Sequence, residues 1–385
     1  MDYKKYFSED VFSFMRSPVR EIFKKVDLNA IYSFAGGYPD ARTFPLEDIK
    51  AISSLVIDKY GAKAFQYGAT QGVPELRKAI SERYGVPVDN IQVTTSSQQG
   101  IDVCTRILIN PGDVILTPNP SYLGAIQSFK SYRADIVGLE GFDEESAGVD
   151  PEILAKAKFC YVIPDFQNPS GETMTLEQRK SLCEMARKYD FVIVEDSPYR
   201  ELRYSGEPVE TIYRLAPERT LHLGSFSKIF APGFRLGWII GPEALLEQIY
   251  ICKQSLDLCP PIMDQYMAAE FISSGALDRN LKESIKLYRH KRDLMLSLLE
   301  KYMPEGVSWT YPEGGLFLFA TLPEGFDTVA LYDSALSAGV AYVAGSFFYT
   351  DSSHRNTMRL NFSFVAEERM EAGIKILADV ISKAL

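Results

Sequence analysis

Lys228 and Arg235 sit in "GSFSKIFAPGFRLGW", residues 224–238, a segment otherwise made for burial. Long cationic side chains are rarely buried without a partner. Around Lys228, Ser225 and Ser227 offer hydroxyls, and Phe226, Ile229, Phe230 and Phe234 offer an apolar wall. An isolated lysine is ordinarily solvated along its stem. A desolvated one loses basicity, from about 10.4 by up to several pH units, and its amine becomes a nucleophile for aldehydes. Arg235 stays charged and calls for an anion, and its planar fork suits phosphate.

Two further stretches supply matching chemistry. In "TTSSQQGIDVCTRILI", residues 94–109, a strand ends at Thr94 and a helix is predicted to start around Gln98. Free N–H groups and hydroxyls at a helix N-terminus bind phosphate, although Ser96 or Ser97 could equally serve as an ordinary cap. In "VIVEDSPY", Asp196 closes an apolar run. Such an acid is often only a cap for the next turn, but a buried carboxylate needs a partner, and a protonated ring nitrogen would serve. At 4 Å and an effective dielectric near 20 the pair is worth roughly 4 kcal/mol before desolvation. An aldehyde for Lys228, a pyridine nitrogen for Asp196 and a phosphate for Arg235 with Ser97 describe one molecule, pyridoxal 5′-phosphate, an electron sink for carbanions next to an amine.

The elements that must position these residues are legible as runs. Between about residues 90 and 240 short apolar stretches, "VILTPNP", "FCYVIPDFQNPSG", "FVIVEDSPY", "LHLGSFSK" and "LGWIIG", alternate with helical patterns such as Leu176, Leu182, Cys183, Met185, Ala186 and Tyr189. Strands alternating with helices predict an α/β fold with a mainly parallel sheet covered on both faces. Ligands of such sheets sit beyond the carboxyl ends of the strands, where Asn168, Asp196, Ser225 and Lys228 fall. A helical stretch from about 243 to 303 leads to "VSWTYPEGGLFLFATLP", a helix near 327–338, the strand "TMRLNFSF" and a last helix from about 366. Residues 45–285 are expected to form a large cofactor-binding domain, with 1–44 and 286–385 in a smaller α+β domain.

Bulk properties narrow the function classes. The 385 residues carry 51 acidic and 41 basic side chains, and the net charge of −10 disfavours binding to nucleic acid. Five scattered cysteines and three distant histidines form no zinc or disulfide pattern. "MDYKKYFSED" contains no signal-type apolar region, and no apolar run approaches the roughly 20 residues of a membrane span. The sequence reads as cytoplasmic, with no metal and no membrane.

Taken in order, "SFAGGYPDARTFP", "YGATQGVPELR", "SSQQGIDV", "NPSYLGA", "FQNPSG", "EDSPYRELRY", "SFSKIFAPGFRLGW" and "PEGGLFLF" resemble the fold type I, class I/II pyridoxal-phosphate-dependent aminotransferases. The subgroup most resembled is the 2-aminoadipate aminotransferase type. The resemblance runs from about residue 12 to the end and implies the aspartate aminotransferase-like fold. It implies that Lys228 holds the cofactor's aldehyde and shuttles a proton between the substrate Cα and the cofactor's C4′. It further implies Asp196 for the ring nitrogen, Tyr199 and Asn168 for the ring hydroxyl, and Tyr122 stacked on the ring. Ser97, Gln98, Ser225 and Arg235 match phosphate ligands, and Tyr67 matches a tyrosine that reaches the phosphate of the neighbouring subunit in a homodimer with shared sites. Arg359, in "MRLNFS", matches the clamp for the substrate α-carboxylate, and Gly37 a point of close substrate approach.

Two positions depart from the subgroup. "TSSQQ" puts Ser96 where glycine is common, so a left-handed backbone there would strain a serine. In "RSPVREIF", Arg20 matches an arginine for a distal carboxylate, with a surface salt bridge as its plain alternative, while Pro18 is not the usual residue. The implied activity is transfer of an amino group from a 2-aminoadipate, aromatic or branched-chain L-amino acid to 2-oxoglutarate by a ping-pong mechanism. A carbon–sulfur β-lyase would use the same residue types. A DNA-binding regulator of the MocR kind needs an N-terminal domain for which residues 1–32 leave no room.

Overall fold

The computed structural model describes residues 1, 3–14 and 30–384. Arg20 and Pro18 therefore lie outside the described residues. A short strand β1 (Tyr32–Ser33) precedes seven that form the main sheet. These are β2 (Ile91–Thr94), β3 (Val114–Pro118), β4 (Asp135–Leu139), β5 (Ala157–Val162), β6 (Val192–Asp196), β7 (Thr220–Ser225) and β8 (Gly237–Ile240). Their order is β2-β8-β7-β6-β5-β3-β4. The run β7-β6-β5-β3-β4 is parallel, and β8 is antiparallel to both of its neighbours. The α/β expectation holds, with "LGWIIG" as the one reversed strand.

Period-two alternation explains the two covered faces. Phe159, Tyr161 and Val194 enter one apolar cluster with Ile101 and Cys104 of the helix Ser96–Leu108. Cys160, Val162 and Ile193 enter the other with Leu182, Met185 and Ala186 of the helix Leu176–Tyr189. That second helix is stopped at both ends by local chemistry. Thr175 and Gln178 form a reciprocal capping box, and Asp190 ends the helix in the left-handed conformation. By the same parity Asp196 falls on the side of Tyr161 and Val194.

The helices Glu243–Leu256, Ile262–Ser273 and Ala276–Tyr302 lead to β9 (Ser308–Trp309), β10 (Phe317–Thr321), β11 (Val340–Ala341), β12 (Val343–Ala344) and β13 (Thr357–Asn361). A four-stranded antiparallel sheet runs β12-β13-β10-β9, and β1 pairs in parallel with β11. The predicted helices near 327–338 and from 366 are Thr328–Ser337 and Glu367–Ser382. Among the described residues no helix is long and apolar enough to cross a membrane.

Candidate active site

β7 ends at Ser225, and Lys228 follows in the turn that leads to the short 3-10 helix Pro232–Phe234. Its Nζ donates to the carbonyl oxygen of Gly37 at 2.7 Å, joining segments 191 positions apart. Burial, with Arg359 and Arg235 adding like charge, pulls the Lys228 ammonium down to about 8. About a tenth is then the free amine at pH 7, far more than for an ordinary lysine. A Cβ at Gly37 would stand 2.9 Å from Phe317 Cζ, so the glycine is needed to admit the aromatic ring.

Asp196, the last residue of β6, is 2% exposed. Tyr161 on the adjacent β5 donates its hydroxyl to Asp196 Oδ2 at 2.8 Å, while Oδ1 is buried with no partner among the described residues. Burial pushes the carboxyl up to about 7, with Tyr161 and then His222 acting against it. A buried carboxylate oxygen with no donor is costly, and a cationic N–H is the ligand that satisfies it best. Glu195, one residue earlier, points to the other face and is fully committed. It accepts from the N–H groups of Ile212 and Tyr213 and pairs with His222 Nδ1 at 2.9 Å.

Arg359, on β13, an inner strand of the four-stranded sheet, reaches the same region. Nη1 donates to Asn168 Oδ1 at 2.8 Å and Nη2 to the carbonyl oxygen of Ala35 at 2.5 Å, while Nε is buried without a partner among the described residues. Its guanidinium lies over the rings of Phe317 and Phe348, at 4.2 and 5.0 Å from their centroids. Burial lowers it to about 10, which still leaves it charged at neutral pH. Tyr199 is a phenol that burial raises well above its ordinary value, with the charge of Arg359 acting against the rise.

The helix predicted from Gln98 starts two residues earlier, at Ser96. Ser96 takes φ 67°, the left-handed conformation feared for it. Arg235 Nη2 donates to Ser96 Oγ at 2.7 Å. Gly237 allows the helix start to press against the sheet: a Cβ there would meet Ser96 C at 2.7 Å and Ser97 N at 2.8 Å. Nearby, Tyr122 donates to Gln98 Oε1 at 3.2 Å, and the Ser227 N–H donates to Ser225 Oγ at 3.2 Å. The free first-turn N–H groups and one guanidinium thus converge at this helix end.

Tyr67 stands apart from this cluster, 79% exposed in the single chain. Three contributors were not singled out in the sequence: Tyr161, the Ala35 carbonyl and the pair Phe317 and Phe348. Tyr161 lies inside the quoted run "FCYVIPDFQNPSG", where it reads as one more apolar strand residue. Its parity with Asp196 could have been read from the alternation only if the pairing of β5 with β6 were known.

The class I and II aminotransferase family description matches residues 35–377. The aromatic-amino-acid aminotransferase 1 of Thermococcus litoralis is 45% identical, over 100% of this chain and 96% of that protein. A kynurenine aminotransferase of Pyrococcus horikoshii, solved in complex with PMP, superposes with a TM-score of 0.93 at 42% identity, covering 100% and 98% of the two chains. The alpha-aminoadipate aminotransferase of Thermus thermophilus, complexed with N-(5'-phosphopyridoxyl)-L-leucine, gives 0.92 at 31% identity, covering 100% and 99%. With a family match spanning most of its length and a lysine, an aspartate and an arginine gathered at the carboxyl ends of its parallel strands, the chain belongs to the class I and II aminotransferases and is a pyridoxal-phosphate-dependent transaminase of the aspartate aminotransferase-like fold.

Proposed function

We propose that this enzyme transfers the amino group of an L-amino acid to 2-oxoglutarate by a ping-pong mechanism, with Lys228 as its catalytic base. The observation that carries the reading is two needs that one ligand could meet: Asp196 Oδ1, buried with no donor among the described residues, and the half-buried Lys228, whose amine is held near 8. Both needs fit the cofactor. Lys228 would hold its aldehyde, and Asp196 Oδ1 would accept from its ring nitrogen. Asn168 and Tyr199 would donate to the ring hydroxyl, and Tyr122 would lie against the ring face. Ser97, Gln98, Ser225 and Arg235 would hold the phosphate. When bound, pyridoxal phosphate supplies an electron sink for negative charge at the substrate Cα.

Arg359 binds the substrate α-carboxylate as a fork, which fixes the Cα–H toward Lys228 Nζ. Lys228 Nζ then takes that proton and returns it elsewhere, work suited to an amine with pKa near ambient pH. Relatives named for aromatic, kynurenine and aminoadipate substrates support an aromatic or 2-aminoadipate donor. Arg20 is assigned to the distal carboxylate of 2-oxoglutarate, and Gly37 to the passage of substrate along the backbone. Tyr67, exposed in the single chain, would complete the phosphate site of a second copy in a homodimer. Residues 45–285 form the cofactor-binding unit, with 1–44 and 286–385 as the smaller one.

The test is an amino-donor panel with 2-oxoglutarate, following glutamate. Lys228→Ala should abolish turnover, and retained activity refutes the assignment. Cysteine conjugates offered without any oxo acid should give no pyruvate. Steady pyruvate and ammonia release under those conditions would replace transfer by β-elimination. An unchanged KM for 2-oxoglutarate in Arg20→Ala would remove Arg20 from the site.

A further inference from the structure

Ser96 combines an unfavourable backbone with an unusually placed side chain. A non-glycine residue at φ 67° costs about 1 kcal/mol or more, and here the residue is also buried. Movement would not easily relieve it, because Gly237 already lets the backbone at Ser96 and Ser97 press close to the sheet. Arg235, at the far side of the same cup, is likewise left-handed, at φ 51°. One side-chain hydrogen bond joins the two, Arg235 Nη2 to Ser96 Oγ at 2.7 Å. The other bond of that guanidinium runs from Nη1 to the carbonyl oxygen of Pro232 at 3.4 Å, a long contact within its own turn. A glycine at position 96 would remove the strain, and would also remove the short contact.

We propose that the Ser96 hydroxyl is a positioning residue that fixes the Arg235 guanidinium toward the cofactor's phosphate, and that this contact compensates the strained backbone. The proposal rests on the assignment of Arg235 to the phosphate. Ser96 acts through Arg235, so its effect follows the phosphate dianion and not the pyridine ring.

Full-length enzyme freed of cofactor serves for the test, in the wild type and in Ser96→Gly, Ser96→Ala and Arg235→Gln. Two dissociation constants are measured for each, for pyridoxal phosphate and for pyridoxal, which lacks the phosphate, together with the melting temperature. Ser96→Gly and Ser96→Ala should each weaken pyridoxal phosphate by about tenfold, the scale of one charge-assisted hydrogen bond, and leave pyridoxal unchanged. Ser96→Ala should melt below Ser96→Gly, because alanine loses the contact and keeps the strain whereas glycine loses both. Arg235→Gln should lose more of the phosphate discrimination than either. If the Ser96 variants keep the wild-type ratio of the two constants while Arg235→Gln loses it, the positioning role is wrong and the phosphate assignment stands. If Arg235→Gln keeps the ratio as well, the assignment of Arg235 fails and takes the proposal with it. Equal losses for both ligands in the Ser96 variants would show general loosening of the site and also overturn the proposal.

Discussion

Asp196→Asn separates the stability that burying this carboxyl costs the fold from the use the site makes of it. In the cofactor-free protein burial holds Asp196 at about 7, against an ordinary 3.8. An acid raised in this way keeps a proton in the folded state that the unfolded chain has already released. Its stability contribution is therefore intact below 3.8 and is lost progressively as pH rises to about 7. Each pH unit in that window is worth about 1.4 kcal/mol, so the wild type should lose about 2–3 kcal/mol between pH 5 and pH 8 on this account. Asparagine does not titrate. Its Oδ1 can still accept from Tyr161, but its amide brings a donor into a buried position, at about 1–3 kcal/mol independent of pH. The variant should thus be less stable than the wild type at pH 5 and should match or exceed it at pH 8. Lys228, lowered to about 8, titrates alike in both proteins and cancels from the comparison. The assay is urea unfolding of the cofactor-free proteins at one fixed protein concentration and both pH values. A difference between variant and wild type that shifts by less than about 1 kcal/mol from pH 5 to pH 8 would refute the reasoning, since the expected shift follows from linkage alone.

Tyr161→Phe should push Asp196 above about 7 by removing its hydroxyl donor. The cofactor-free protein should lose about 1–3 kcal/mol at pH 8 and less at pH 5, where the carboxyl is already protonated, in the same unfolding assay. Arg359→Lys replaces a fork by a point charge and should lower kcat/KM for the amino donor roughly tenfold to a hundredfold. Cofactor affinity, read by titration, should stay near the wild-type value. Lys291→Met breaks a buried pair, since Lys291 Nζ donates to Asp40 Oδ2 at 2.7 Å and to the Ser363 carbonyl oxygen at 2.5 Å. Burial works against the Asp40 charge, yet the hydrogen bonds from Arg42 and Lys291 hold it at about 2. That stabilisation is present above 3.8 and lost as pH falls toward 2, so the variant should unfold at a higher pH in an acid titration, besides losing about 3 kcal/mol at pH 7.

The alternating runs from "VILTPNP" to "LGWIIG" were enough to predict the sheet, because side-chain parity and turn residues are local properties of a strand. The same holds for the helix Leu176–Tyr189, whose caps lie next to it in sequence. Lys228 and Asp196 could be picked out because charge in an apolar setting is itself a signal, whereas Arg359 was legible only through the family resemblance. Tertiary structure decided which partners they find. Lys228 meets the Gly37 carbonyl and Arg359 meets Asn168, each across 191 positions, and no spacing rule spans such a gap. A Cβ at Gly37 would crowd the Phe317 ring, and Ser96 finds in Arg235 a partner for its strained position. Arg179, on a helix read only for its apolar stripe, is fully buried against Asp165 at 2.8 Å. Sequence fixes what each residue can offer within a turn or a strand. Which offers are taken depends on the order and register in which strands far apart in the chain come to lie side by side, and only the packed fold sets that.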